Sequence, residues 1–235
     1  MLQQHTEERG TVKTLPRILV VTAVDAERDA VLRGLPDTCA ERMEVISAGV
    51  GPAAAAAAAT AALLRAAAPY DLVISAGIGG GFPERAAIGS LVLASSIVQA
   101  DLGAETPDAP GFISVDELGF GSSRVDADTA WNARLLAALR SAGLDAALAP
   151  ALTVSSATGT AATAERRAGL VPGAASEGME GYGVAAAAAQ LGVAVTELRA
   201  ISNAVGPRDR SAWRIGDALQ ALTAAFRAIA AHLYL

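Results

Sequence analysis

The chain has 235 residues, enough for one large domain with its own core and no covalent staples. A formal charge of −6 without a basic cluster argues against nucleic-acid or anionic-membrane binding, and a single cysteine, Cys39, excludes an internal disulfide. Hydrophobic residues make up 52% but aromatics only 4%, so the core has to be built mainly from Ala, Val, Leu and Ile.

Two histidines stand near the two ends, His5 in a polar stretch and His232 close to the last residue. A Ser-His-Asp triad or a Cys/His zinc site would have to recruit one of them. Catalysis is therefore expected to rest on carboxylates, amides and backbone groups, with no metal and no cofactor. Residues 1–16 hold no apolar signal-type run and read as a flexible tail, leaving one domain over residues 17–235. The longest weakly polar run, 52–64, is mostly alanine and too short to span a bilayer, so a cytosolic protein is expected.

In chain order, residues 17–23 form a continuous apolar run, the pattern of a strand buried on both faces. It passes directly into a helix at Asp25 with acids in the first turn. Glu27 stands at that junction and reads either as an acid complementing the helix dipole or as a site carboxylate. A second strand, 43–48, ends in Gly49-Val50-Gly51-Pro52, and an alanine-rich helix runs to about residue 67. A third strand, 72–76, leads into a glycine loop, Gly77-Ile78-Gly79-Gly80-Gly81, where the backbone can approach a ligand closely. No helix opens there, so the loop is not a dinucleotide fingerprint.

Residues 91–98 read as another strand. The segment 99–124 follows as a long loop with Pro107, Pro110, Phe112 and Phe120, and such a loop in a compact domain is functional or disordered. Its two phenylalanines favour function. Residues 127–142 have helical spacing, and 151–155 form a strand ending in Ser156-Ala157-Thr158-Gly159-Thr160. Glu180 opens a helix that runs to about residue 191, again as a first-turn acid or a functional one. The last strand, 194–202, ends in Ser202-Asn203, at the carboxyl end of a buried strand, where α/β folds place ligands. An Asn there packs poorly but reads a flat heterocycle well. A charged Gly-Pro loop leads to a closing helix over 211–235. The whole reads as one α/β domain.

Three stretches together resemble one family: Thr22-Ala23-Val24-Asp25-Ala26-Glu27, Ser176-Glu177-Gly178-Met179-Glu180-Gly181 and Arg199-Ala200-Ile201-Ser202-Asn203, with the glycine run between them in order. They are similar to the nucleoside phosphorylase/nucleosidase family, close to the methylthioadenosine/adenosylhomocysteine nucleosidases, over roughly residues 18–235. The run 199–215 most resembles the futalosine hydrolase branch, which releases hypoxanthine from futalosine on a route to menaquinone. The resemblance implies a mixed, partly closed sheet surrounded by helices, a small nucleoside as substrate and a homodimer or larger homo-oligomer.

Site roles follow from the same resemblance. Glu27 matches the acid that activates the attacking water, and Glu180 the carboxylate that binds the ribose hydroxyls beside Met179. Arg199 and Ser202 match residues lining the water and base sides, and Gly159 and Thr160 fall where backbone brackets the purine. Gly79 belongs to the glycine run at the site, and Trp213 falls where a helix covers the 5′ substituent.

One departure bears on the substrate. The adenine-specific nucleosidases have Asp where this chain has Asn203. A 6-oxopurine presents an acceptor at O6, which a carboxylate would oppose acceptor to acceptor. An amide instead donates to O6 and accepts from a protonated N7. Mispairing buried polar groups costs about 1–3 kcal/mol, so Asn203 favours hypoxanthine or guanine as the leaving group. Glu27 facing the ribose would repel phosphate, and the glycine run lacks cationic donors, so hydrolysis is expected over phosphorolysis. Futalosine carries an aromatic carboxylate beyond the 5′ carbon. Arg208, Arg210 and Arg214 are candidates to meet it, with Trp213, Phe112 or Phe120 against the ring, although these arginines also read as solvated or helix-capping. The rival readings are an adenine-specific nucleosidase, a purine nucleoside phosphorylase and a catalytically silent nucleoside-binding protein.

Overall fold

A computed structural model describes residues 15–108 and 111–234. The expected tail, apart from its last two residues, and Pro110 lie outside the described residues. Strand β1 (Ile18–Thr22) enters helix α1 (Asp25–Gly34), and β2 (Met43–Ser47) enters α2 (Pro52–Arg65) with its proline in the first turn, where a missing N–H costs nothing. Strand β3 (Leu72–Gly81) is twice the expected length, because the glycine run continues the strand rather than leaving it as a loop. Strand β4 (Leu91–Gln99) follows.

The described residues of the segment 99–124 are structured. They include a hairpin of β5 (Gly103–Glu105) and β6 (Phe112–Ser114), the single-turn helix α3 (Val115–Leu118), and the start of β7 (Arg124–Asp126), which pairs with β4. Ser114 and Glu117 cap α3 reciprocally, a short-range signal that the loop reading passed over.

Helix α4 (Thr129–Ser141) is capped by Asp128, and β8 (Ala146–Thr153) begins five residues before the expected strand. Its early half reads poorly because it is alanine-rich and carries Pro150. That proline sits where the β4–β8 register shifts, a place where a missing ladder donor is tolerated. Helix α5 (Ala161–Leu170), capped by Thr160, had no counterpart in the sequence reading. Strand β9 (Ser176–Gly178), helix α6 (Gly181–Gln190), strand β10 (Val195–Ala204) and helix α7 (Ile215–Tyr234) complete the chain. Helix α7 starts four residues later than expected, after a 3-10 turn at Arg210–Ala212.

Among the described residues, eight strands form one mixed sheet in the order β10-β4-β8-β9-β3-β1-β2, with β7 beside β4. Because β10 pairs with both β4 and β3, five strands close on themselves while β1 and β2 extend past β3. This is the mixed, partly closed sheet that the resemblance implied. Strand β1 divides its side chains between two cores: Ile18 and Val20 face Leu222, Phe226 and Ile229 of α7, whereas Leu19 and Val21 face Ala55, Ala59 and Val184 of α2 and α6. Burying each large apolar side chain contributes roughly 1.5–3 kcal/mol, so a strand covered on both faces is pinned in register. Among the described residues, no helix is long and apolar enough to cross a membrane.

Candidate active site

The site lies where β3 changes partners. On one side β3 pairs with β1 as far as Ser75 and with β9 from Gly80 onward. Between these two pairings the Ile78 N–H has no strand to bond, and it donates instead to Glu27 Oε1 at 2.8 Å. Glu27 reaches this gap from the first turn of α1. Its other oxygen accepts from the backbone N–H groups of Ala23 (3.0 Å) and Val24 (3.3 Å). Val24, the N-cap residue, has no side-chain acceptor, so Glu27 supplies that end of the helix. Glu27 thus caps α1 and at the same time presents its carboxylate to a cavity while only 4% exposed. Three of the roughly four lone-pair positions of the carboxylate are occupied, which leaves one to accept from a water.

That cavity has a volume of about 370 Å³, in the range of small-molecule sites. Of the residues singled out in the sequence, Glu27, Gly79, Met179, Glu180, Ser202, Asn203 and Trp213 line it, as do Val50, Ala157, Thr158, Glu177 and Arg208. Glu180 stands at the N-cap of α6, where a carboxylate is favoured, and is 6% exposed. It accepts from the Gly51 N–H at 3.2 Å and the Met179 N–H at 3.3 Å, tying the turn before α2 to the turn before α6.

Ser202 and Asn203 are neighbours that a regular strand would point to opposite faces. A bulge prevents this: Ile201 pairs with Gly79 and Asn203 with Gly80, so two steps of β10 oppose one step of β3. Both side chains consequently reach the cavity. Ser202 Oγ lies 2.8 Å from Asn203 Oδ1 and 3.2 Å from the Gly79 carbonyl, and Asn203 Nδ2 donates to the Ala204 carbonyl at 3.0 Å.

Several sequence expectations are corrected here. Arg199 does not line the cavity; it lies beneath the floor, 1% exposed. Gly159 and Thr160 do not line it either. Thr160 faces away as the cap of α5, and the adjoining Ala157 and Thr158 take that wall. Trp213 is at the cavity in extended backbone between the 3-10 turn and α7, not on a helix. Arg208 lines the cavity and stacks over Trp213 at 5.4 Å, whereas Arg214 pairs with Asp217 in the first turn of α7, as a helix-capping reading expects. Arg210 is outside the lining, 6.0 Å from the Trp213 ring. Phe112 borders a separate cavity beside Asp101 and Arg166, and Phe120 is 82% exposed. Neither faces the site within this chain.

Three buried ion pairs among the described residues were not foreseen as pairs in the sequence, although Arg199 was singled out. Glu177 accepts from Thr158 (N–H, 2.7 Å; Oγ1, 2.5 Å) and from Arg167 Nη1 at 3.0 Å, and so fixes the 156–160 wall. Glu197, with no exposure, accepts from Arg199 Nε at 2.6 Å, and Arg199 Nη1 lies 3.3 Å from Glu180 Oε2. Burial pushes the Glu197 carboxyl up from its ordinary value, and the adjacent guanidinium opposes that. Burial also works against the Arg199 charge, but the fields of Glu197, Glu180 and Glu27 outweigh it and hold that pKa above its ordinary value. Arg199 is opposite Gly77 in register, and a Cβ at Gly77 would stand 2.6 Å from Glu27 Oε1 and 2.7 Å from Arg199 Nη1. The first glycine of the run therefore makes room for protein side chains and not for a ligand. Among the described residues, no group of three or more His, Cys, Asp or Glu is placed to hold a metal ion.

Such an arrangement can fix a sugar and a water on carboxylates and meet a heterocycle with an amide. Residues 38–234 match the model of the phosphorylase superfamily. The chain is 50% identical over 224 residues to a futalosine hydrolase of Streptomyces coelicolor, covering 88% of this chain and 92% of that protein. It is 46% identical over 224 residues to one from Acidothermus cellulolyticus, covering 91% of this chain and 90% of that protein. The structure of a futalosine hydrolase from Helicobacter pylori superposes with a TM-score of 0.79 at 17% identity, over 93% of this chain and 99% of that one, which is a likeness of fold. By the match of its sequence to the family model and to these relatives, the chain belongs to the phosphorylase superfamily and, within it, to the futalosine hydrolase family.

Proposed function

We propose that the protein hydrolyses the N-glycosidic bond of futalosine and releases hypoxanthine, a step on the futalosine route to menaquinone. The observation that carries this reading is the sharing of one cavity by two buried carboxylates, Glu27 and Glu180, and an amide, Asn203. The relatives named above supply the substrate.

As the C1′–N9 bond breaks, its electron pair leaves with the purine, and N7 takes up a proton from solvent water. The sugar becomes an oxocarbenium ion, which a second water attacks at C1′ while its proton passes to Glu27, and Glu27 then returns that proton to solvent. A positioned base of this kind contributes about 10²–10⁴-fold. Glu180 accepts the ribose hydroxyls with lone pairs not taken by Gly51 and Met179. Asn203 meets the base: Nδ2 leaves its contact with the Ala204 carbonyl to donate to O6, and Oδ1 accepts from N7–H. Arg208 and Trp213 meet the 5′ substituent.

The same reading extends to a cytosolic enzyme that assembles with copies of itself, which sedimentation tests. The decisive assay incubates the protein with futalosine, inosine and methylthioadenosine, with and without phosphate, and separates the released bases. Hypoxanthine from futalosine without phosphate is the expected result. Adenine release or a requirement for phosphate would overturn the reading.

A further inference from the structure

The mechanism above uses Glu27, Glu180 and Asn203 but leaves Glu197 without a task, although it is a carboxylate with no exposure in the middle of the central strand. Burying such a group is costly unless something is gained by its partner. Residues 197 and 199 lie on the same face of β10, because side chains alternate along a strand. There the Glu197 Oε1 accepts from Arg199 Nε at 2.6 Å. With Nε held, the planar guanidinium has only one way to lie. Nη2 points along β3 to Ser75 Oγ at 3.4 Å, and Nη1 points up to the Ile78 carbonyl and to Glu180 Oε2, each at 3.3 Å. The neighbouring backbone is shaped around this cluster. A Cβ on Gly181, the first residue of α6, would stand 2.0 Å from Glu197 Oε2, and one on Gly178 would stand 2.9 Å from Arg199 Cζ. Glu197 Oε2 is buried without a hydrogen-bond partner among the described residues, so the group is not held there by a network of its own.

We propose that Glu197 is a positioning residue for sugar recognition: by accepting the Nε–H it orients Arg199, and through Nη1 it holds the Glu180 carboxylate in line with the ribose hydroxyls. Glu197 itself borders no part of the cavity. The inference rests on the reading of Glu180 as the sugar-binding carboxylate.

Its test measures kcat/KM for futalosine and for its 2′-deoxy analogue in Glu197→Leu and Glu197→Gln variants, alongside thermal unfolding. Leucine removes the acceptor while roughly keeping volume; glutamine keeps an oxygen for Nε. The ribo-to-deoxy preference should fall about ten-fold in Glu197→Leu, the scale of one hydrogen bond to a charged group, and return largely in Glu197→Gln. A variant that loses activity equally on both substrates, or loses none, refutes the role, as does a glutamine variant no better than leucine. Should Glu197→Leu fail to fold, Glu197→Asp, which withdraws the oxygen by one methylene, carries the same ratio test. If the unmodified protein releases no hypoxanthine from futalosine, the function proposed above fails first. If it does and the ratios do not move, only the inference about Glu197 fails.

Discussion

The floor and the mouth of the cavity are built on opposite principles. Below, Glu27, Glu180, Glu197 and Arg199 are each no more than 6% exposed, and the three carboxylates accept from backbone N–H groups or from the guanidinium. Above, Asn203 and Trp213 are half-buried and Arg208 is exposed; Asn203 has two neutral hydrogen bonds to its chain neighbours, and Arg208 stacks on Trp213. The floor is in place before any substrate arrives, so little reorganisation is left for the reaction. The mouth is held weakly enough that one substitution can change what it reads without unfolding what lies beneath.

Removing the floor carboxylate proposed to take the proton from water should have the largest effect. Glu27→Gln is nearly isosteric, and its carbonyl oxygen can still accept from Ile78 or from Ala23. Turnover should fall by about 10²–10⁴-fold while nucleoside binding, followed by calorimetry, stays nearly unchanged. Retained turnover would remove Glu27 from the mechanism. Next comes Arg199→Met, which strands Glu197 and Glu180 without their cation. Breaking a buried pair costs about 3–5 kcal/mol, or roughly 6–20 °C in Tm for a chain of this size. A melting point within two degrees of the unmodified protein would mean that the cluster is not the rigid base described here.

How far each region could be read from the sequence follows from the same contrast. The strand–helix junction at Glu27, the Met179-Glu180 pair and the Ser202-Asn203 strand end are local features, legible as position within an element. The α1 and α6 starts and the two-faced burial of β1 were legible for the same reason. The cluster beneath was not, because Glu197 and Arg199 lie in a run that reads as apolar strand. A charge at i and i+2 in such a run is itself a signal, since neither charge can be buried alone. The glycine run divides. Gly79 and Gly80 border the cavity, as glycines near a ligand would, whereas Gly77 is small because Glu27 and Arg199 fill the space its side chain would take, a contact between residues distant in the chain. Helix α5 was missed for lack of apolar periodicity, although Thr160 before a run of alanines was a cap in plain view.

At the mouth, Asn203→Asp should sharpen the comparison by altering preference and not stability. The carboxylate would oppose O6 of hypoxanthine but accept from the 6-amino group of adenine. The ratio of kcat/KM for the hypoxanthine- and adenine-bearing nucleosides should swing by about 10- to 100-fold, from 1–3 kcal/mol per mispaired group. Ser202 complicates the exchange usefully, because its hydroxyl can donate to an aspartate oxygen as it does to Oδ1 and hold the new side chain in the same place. Thermal unfolding should therefore change little. An unchanged ratio would show that the base is read elsewhere, with the Thr158 wall the next place to look.

The smallest effect belongs to Arg208. Its guanidinium lies 5.4 Å above the Trp213 ring, its side chain is exposed, and water screens whatever anion it meets. Exposed ion pairs are worth about 0.2–1 kcal/mol, so Arg208→Ala should lower kcat/KM for futalosine by only about two- to five-fold. The loss should shrink further as salt is raised. Inosine, which has no carboxylate beyond its 5′ carbon, should be cleaved as before. Arg214, already paired with Asp217, serves as the control, and its alanine variant should move neither substrate. A loss on inosine equal to that on futalosine would mean that Arg208 shapes the cavity through Trp213 instead of meeting the substrate charge. The mouth would then share more of the floor's rigidity than its exposure implies.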